Sequence, residues 1–502
     1  MKNKFIYLAI IAAGFASCEP EFENEVGANY TAGDADFTTY VAVGNSLTAG
    51  YMDGTVYKSG QANSFPNLLA QQFALVGGGE FTQPSYEEDV NNLGGILGIP
   101  GFNTRLVLDA NQLNPNGTRG AVEPIVGTST ITLTPQATAY NNMGVPGAKS
   151  FHLGFPGYGT LNPYFARHAT SPTATVIGDA MSKNPTFFTN WIGANDVLSY
   201  ATNGGAQADG TTPAADHNLT GNMNPATYGS NDITNSGVFA SVYSTLINTL
   251  TSGGAKGVVA TVTSVTSIPY FTTVPYKPVP LDNTFATQLN SVYAAYNGGL
   301  DVAFSNGLIT NAERLQRKVV FVAGKNPVVI VDSDLTNLSG LGLPSYRMTT
   351  SQDLIVLPAS SFIGTTVGGD PLMINGVSVP LANKWVLTAN EKAKVANATA
   401  AYNSAIVSIA SSNNLAVADM NQIMNQLVGG LRVEDGTFYT ANYFSSATAT
   451  TVLFSLDGVH PNARGYAVIT NEIIKVINSH YNANLPLHSA ANFPGATIVG
   501  SN

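Results

Sequence analysis

The sequence predicts an α/β protein built on a parallel sheet, and two observations carry that prediction. Short β-rich runs end in sharp Gly or Asn turns at several points along the chain, and apolar residues recur at helical spacing in the segments between and after them. Strands that alternate with helices need crossover connections, which set neighbouring strands parallel.

The elements follow in order. Phe37 to Val43 is a strand running into Gly44-Asn45-Ser46-Leu47, and Thr186 to Ile192 is a second running into Gly193-Ala194-Asn195-Asp196. The apolar segment Val238 to Leu250 is a helix stopped by Gly253-Gly254, and Gly257 to Val262 is the strand after it. Thr388 and Glu391 have the spacing of a capping box, and Val395, Tyr402, Ile406 and Ile409 then line one helical face. Leu415 to Ala418 is the next strand. The last helix is Ala463 to His480, with Tyr466, Ile469, Ile473, Val476 and Ile477 as its buried stripe.

Two stretches break the rhythm. Residues 52–140 are rich in Gly and Asn, and residues 276–385 carry β-like runs at Val319–Ala323, Val328–Val331 and Leu354–Leu357. Both are expected to be insertions at the loop end of the sheet with small elements of their own, since structureless loops of that length are rare in compact domains. A separate domain at 276–385 is the alternative. The main domain is expected over 36–480, followed by a tail at 481–502.

At 502 residues, 44% of them hydrophobic, the chain has ample material for a core. Charged residues are only 10%, against ~25% in an ordinary soluble domain, so the surface is polar but sparsely charged. The formal net charge is −10, and no Lys/Arg cluster offsets it. That balance excludes nucleic acid, and binding to anionic headgroups through a basic face, as partners.

Lys2 and Lys4 precede an apolar run from Phe5 to Ala16, the pattern of a secretory signal over 1–17 and too short to span a bilayer. It ends in Phe15-Ala16-Ser17-Cys18, which resembles the lipobox of bacterial lipoproteins, although Phe15 stands where Leu is usual. That resemblance implies lipidation at Cys18, a lipid anchor in the bacterial outer membrane and an exported protein facing the cell surface. Cys18 is the only cysteine, so no intrachain disulfide and no Cys-x-x-Cys metal or redox site can form. Glu19, Glu21, Glu23 and Glu25 begin an acidic tether over 18–35.

Four pieces bear on chemistry: Gly44-Asn45-Ser46-Leu47, Asn142-Met143-Gly144-Val145-Pro146-Gly147, Gly193-Ala194-Asn195-Asp196 and Asp457-Gly458-Val459-His460-Pro461. A serine after a glycine turn, or an Asp three residues before a His, is ordinary by itself. All four, in this chain order and each at a strand end or turn, resemble the blocks of the SGNH (GDSL-like) hydrolases. The resemblance implies a flavodoxin-like three-layer α/β/α sandwich with two long insertions, and a serine esterase or acylhydrolase that needs no metal and no organic cofactor. Residue by residue it assigns Ser46 as nucleophile, Gly147 and Asn195 to the oxyanion hole with the Ser46 N–H, and Asp457 and His460 as the remaining catalytic pair. Asn45 replaces the Asp of the GDSL motif. An amide can partly supply the turn-ordering hydrogen bonds of that Asp, so the departure bears on turn geometry more than on chemistry.

Elementary chemistry asks for the same residue types. A serine hydroxyl is almost un-ionised at neutral pH, so it needs a base in hydrogen-bond reach, and an imidazole has the matching basicity. A carboxylate on the other ring nitrogen fixes the tautomer and stabilises the imidazolium. Donors must already point at the developing oxyanion, and glycine at 147 is expected to let the substrate oxygen approach the backbone. The other histidines, His152, His168, His217, His480 and His488, are expected on the surface or on helices, with His152 the one near enough to Gly147 to line a pocket. There is no G-x-S-x-G elbow, H-E-x-x-H site, Walker A loop or GxGxxG fingerprint. The substrate expected is an acyl or acetyl ester, including acetylated glycans; lipid acyl esters are the rival, and a catalytically silent surface binding protein the contrasting class.

Overall fold

A computed structural model describes residues 29–113, 119–445 and 447–500. The expected signal segment, Cys18 and the first part of the expected tether lie outside the described residues. Five short parallel strands form the central sheet: β1 (Tyr40–Gly44), β2 (Asn142–Gly144), β3 (Phe187–Trp191), β4 (Lys256–Ala260) and β5 (Ala416–Ala418). Their spatial order is β2-β1-β3-β4-β5. The order reverses between β1 and β3, and the crevice outside the carboxyl ends of strands at such a reversal is where open α/β sheets bind ligands.

Helices cover both faces, which is why β1 and β3 are buried along their whole length. Side chains alternate across each strand. Tyr40 and Ala42, Phe187 and Trp191, and Val258 and Ala260 face α2 (Phe65–Ala74) and α7 (Ala463–Tyr481). Val41 and Val43, Phe188 and Val259 face the other way, towards α4 (Ser236–Thr251) and α5 (Ala389–Ser412). Two shorter helices start near the strand ends, α1 (Ser46–Ala49) and α3 (Asn195–Thr202), and α6 (Met420–Gly429) follows β5.

Local chemistry starts these helices where expected. The Thr388 and Glu391 side chains close a capping box on α5. The Asn235 side chain accepts from Gly237 and Val238 N–H at the start of α4, and Asn462 accepts from Gly465 N–H at the start of α7. On α7, Ile473, Ile474 and Ile477 are buried against the sheet; each such side chain contributes ~1.5–3 kcal/mol on leaving water.

The first expected insertion holds a correction. Residues 52–140 contain α2, whose Phe65, Leu68, Leu69 and Phe73 are buried against the sheet and its neighbours, so this part of the stretch is a layer of the fold. Further on, Leu106–Leu113 and Arg119–Pro124 form an antiparallel hairpin, and Ile498–Val499 from the tail pairs beside it. In the second stretch, Val329–Val331 and Leu354–Ile355 are strands, but Val319–Ala323 is not. Its backbone groups are taken by side chains instead: Asn297 brackets Val319 and Asn290 brackets Phe321, each amide both accepting from N–H and donating to C=O. Val279, Ala286, Leu289, Tyr293 and Phe321 from this stretch belong to the same buried cluster as Val41 and Val43. At the start of the described chain, Asp34 N–H donates to Tyr481 O and Thr31 pairs with Asn484, so the end of the expected tether is held against the end of α7. No helix among the described residues is long and apolar enough to cross a membrane.

Candidate active site

The site is built where β1 ends. Gly44 has no room for a side chain: a Cβ there would lie 2.2 Å from Thr48 Oγ1 and 2.5 Å from Trp191 O. Asn45, only 1% exposed, then caps α1, its Oδ1 accepting from Leu47 N–H at 3.1 Å. The amide oxygen thus orders the turn. Ser46 is the first residue of that helix.

Ser46 Oγ lies 2.8 Å from His460 Nε2, a contact between residues 414 positions apart, and His460 Nδ1 lies 2.9 Å from Asp457 Oδ2. An ionised carboxylate only accepts, so Nδ1 carries the proton and Nε2 is left to accept from the Ser46 hydroxyl. Asp457 is itself held firmly. Its Oδ1 accepts from Val459 N–H at 2.8 Å, His460 N–H at 2.9 Å and Ser455 Oγ–H at 3.0 Å, and its Oδ2 also accepts from Gly54 N–H at 3.1 Å. Burial alone would raise the Asp457 pKa, but the electrostatic pull of the adjoining His460 ring and the hydrogen bonds from His460 and from Val459 N–H outweigh it, so the carboxyl sits below its usual value.

A group of residues not singled out in the sequence grips this loop from the far end of the chain. Asp53, in the left-handed region at φ 53°, donates its N–H to Ser455 Oγ at 3.0 Å, while its carboxylate accepts from Leu456 N–H at 3.0 Å and Tyr57 OH at 2.8 Å. Burial lifts the Asp53 pKa to about 6, with the Asp457 charge adding to the rise. The Tyr51 ring packs 4.5 Å from the His460 ring, and Tyr466 OH donates to Tyr51 O at 2.7 Å. Met52-Asp53-Gly54-Thr55 carries only an ordinary turn signal, so nothing local announced this role.

The second and third pieces meet beside Ser46. Val145 N–H donates to Gly44 O at 3.0 Å, which sets the 145–150 loop next to the serine turn. Asn195 Nδ2 donates to Ala148 O at 2.9 Å, and the buried Asp196 accepts from Ser150 N–H and Oγ–H, both at 2.8 Å. Gly147 therefore lies in a loop fastened to β1 on one side and to α3 on the other. The backbone gives glycine there a further reason: φ is +79°, a conformation side chains rarely adopt, and the protein leaves the space at its Cα open, the nearest atom to a Cβ being Asn162 Nδ2 at 3.9 Å. Among the described residues, the Ser46 and Gly147 N–H groups have no acceptor in the protein.

A cleft opens at Ser46, His460 and Asn195 and runs between α6, α7 and the ends of β3 and β4. His152 does not line it; that ring stacks on Tyr158, its Nδ1 accepts from Lys149 N–H, and burial together with Lys149 pushes its pKa down to about 4. His217 begins a short helix, as expected, its ring held between Asp232 and Thr220. Two others are not where they were expected: His168 and His488 are buried outside helices, His168 packed against Phe165 and His488 against Gln72 and Leu68 O. His480 is exposed on α7. Among the described residues no group of three or more His, Cys, Asp or Glu is placed to hold a metal ion.

The arrangement can lower the barrier to attack by an alcohol oxygen, since hydroxyl, imidazole and carboxylate are joined by hydrogen bonds and unpaired donors lie beside Ser46. Comparison with protein-family models, with curated proteins and with solved structures finds no match for this chain.

Proposed function

We propose that this chain is a serine ester hydrolase of the SGNH type, acting on carboxylic esters through an acyl-Ser46 intermediate. The observation that carries the proposal is the hydrogen-bonded chain from Ser46 Oγ through His460 to Asp457, at 2.8 and 2.9 Å. A silent binding protein has no need of a carboxylate with five donors aimed at it behind an imidazole.

In the proposed reaction the ester carbonyl sits over Ser46. Oγ bonds to the carbonyl carbon as its proton passes to His460 Nε2, and the carbonyl π pair moves onto oxygen. The Ser46 and Gly147 N–H groups and the Asn195 amide are the donors for that oxyanion; one such donor is worth ~2.7–4 kcal/mol of barrier. Collapse expels the alcohol, which takes the proton from His460. Water then gives a proton to His460 and attacks the acyl-serine, and the acid leaves as Ser46 regains its proton. Asp457 keeps its charge throughout and steadies the imidazolium.

The test is hydrolysis of p-nitrophenyl butyrate by the purified full-length chain in mild detergent, beside Ser46→Ala and His460→Ala. Rates for the variants at least about a thousandfold below the parent support the proposal; equal rates for all three overturn it. The N-terminal pattern supports placing the enzyme outside the cytoplasm on a lipid anchor. Cys18→Ser is expected to move the protein out of the membrane fraction, and continued membrane association counts against lipidation.

A further inference from the structure

Resting on the ester-hydrolase reading, we infer that the substrate's acid part is an unbranched hydrocarbon chain of about eight carbons or more, held in the cleft that begins at Ser46. Polar side chains among its lining are few: Asn45, Ser46, Asn195, Thr263 and His460, plus the Trp191 indole, whose N–H is already donated to Thr261 O at 3.2 Å. No Asp, Glu, Lys or Arg lines it. The walls are apolar, with Ile423, Met424 and Leu427 on α6 and Leu453, Phe454 and Ile469 all lining them.

This lining decides between the two parts of an ester. A glycerol, sugar or phosphodiester alcohol would bring hydroxyls into a space with almost nothing to hydrogen-bond them, at a cost the cleft does not repay. A methylene chain loses nothing there. An acetyl group would leave most of this apolar wall uncovered. The α6 wall, Met420 to Leu427, runs ~10 Å at 1.5 Å per residue, the length of roughly eight methylenes. Methionines at 420 and 424 give it a surface that adapts to a flexible chain. The reaction consumes one water per ester and releases the fatty acid and its alcohol.

Each methylene withdrawn from water is worth up to ~0.8 kcal/mol, about fourfold in kcat/KM when it is felt in the transition state. The experiment measures kcat/KM for p-nitrophenyl esters from acetate to palmitate and, separately, for alkyl acetates of increasing alcohol length. It uses the full-length chain, its Ser46→Ala variant and active-site-titrated Ile423→Trp and Leu427→Trp. The inference expects a rise of at least about a hundredfold from acetate to decanoate, with no comparable rise along the alkyl acetates. It also expects the decanoate-to-acetate ratio to fall at least tenfold in either Trp variant. Leu427→Ala, which widens the cleft, is expected to move the optimum to longer chains. Ser46-dependent hydrolysis that is best on acetate, or that rises along the alkyl series instead, overturns this inference and leaves the ester hydrolase standing. Hydrolysis that survives in Ser46→Ala, or is missing in the parent, overturns both.

Discussion

Replacing Asp457 by Asn tests the logic of the site at its most constrained atom. The carboxylate accepts five hydrogen bonds, three at Oδ1 and two at Oδ2. An amide must put its NH2 in one of those places. At Oδ1 it would face the Val459 and His460 N–H groups, which cannot turn away. At Oδ2 it faces Gly54 N–H and His460 Nδ1, and the imidazole can accommodate by moving its proton to Nε2. The cheaper arrangement therefore presents an N–H to the Ser46 hydroxyl, and the serine proton has no acceptor. Loss of the correct tautomer is worth about 10⁴ in kcat, or ~5.4 kcal/mol of barrier. The assay is active-site-titrated hydrolysis of p-nitrophenyl butyrate at pH 8, with a urea unfolding curve to show that the variant is folded. A folded Asp457→Asn protein with kcat within tenfold of the parent refutes the reasoning.

Other outcomes follow from the same geometry. Asn195→Ala is expected to lower kcat by about 10² to 10³ with little change in KM, read in the same assay; a change confined to KM would remove it from the oxyanion donors. Asn45→Ala removes the cap on the serine turn and is expected to cost ~0.5–2 kcal/mol in urea unfolding, with a fall in kcat as the turn loosens; an unchanged unfolding midpoint would show that Asn45 Oδ1 is not needed there. Asp53 makes stability depend on pH. Its folded pKa, about 6, lies above that of an unfolded Asp, so the folded state binds the extra proton and stability falls as pH rises from about 4 through 6. Asp53→Asn is expected to flatten that slope, by an amount on the order of 2 kcal/mol; unfolding midpoints at pH 4.5 and 7.5 that differ as much in the variant as in the parent would contradict it.

Much of this site was legible because its pieces are local. The Gly44 to Leu47 turn, the Gly193 to Asp196 turn and the Asp457 to His460 loop each carry their own turn chemistry, and the strands before the first two were found within a few residues. The long helices were legible for the same reason, from apolar spacing and, at Thr388 and Glu391, from a capping box. Long-range support was not. Asp53 meets Ser455 across 402 positions, and Asp196 meets Ser150 across 46, and neither pair has a pattern that a single sequence displays. The helix Phe65–Ala74 has the spacing of a buried face but stands in a Gly- and Asn-rich stretch that reads as an insertion with small elements of its own. The Val319–Ala323 run had strand composition, yet Asn290 and Asn297 satisfy its backbone in place of a neighbouring strand. The apolar cleft is assembled from α3, α6, α7 and the loops after β3 and β4, so no one segment announces it.

The central claim is that Ser46 is a nucleophile made reactive by His460. Its most direct test is the intact mass and peptide map of the full-length chain after brief exposure to a fluorophosphonate. A single adduct is expected on the peptide that carries Ser46, formed at least about a hundredfold more slowly in His460→Ala. An unlabelled Ser46, or labelling at the same rate without His460, would contradict it.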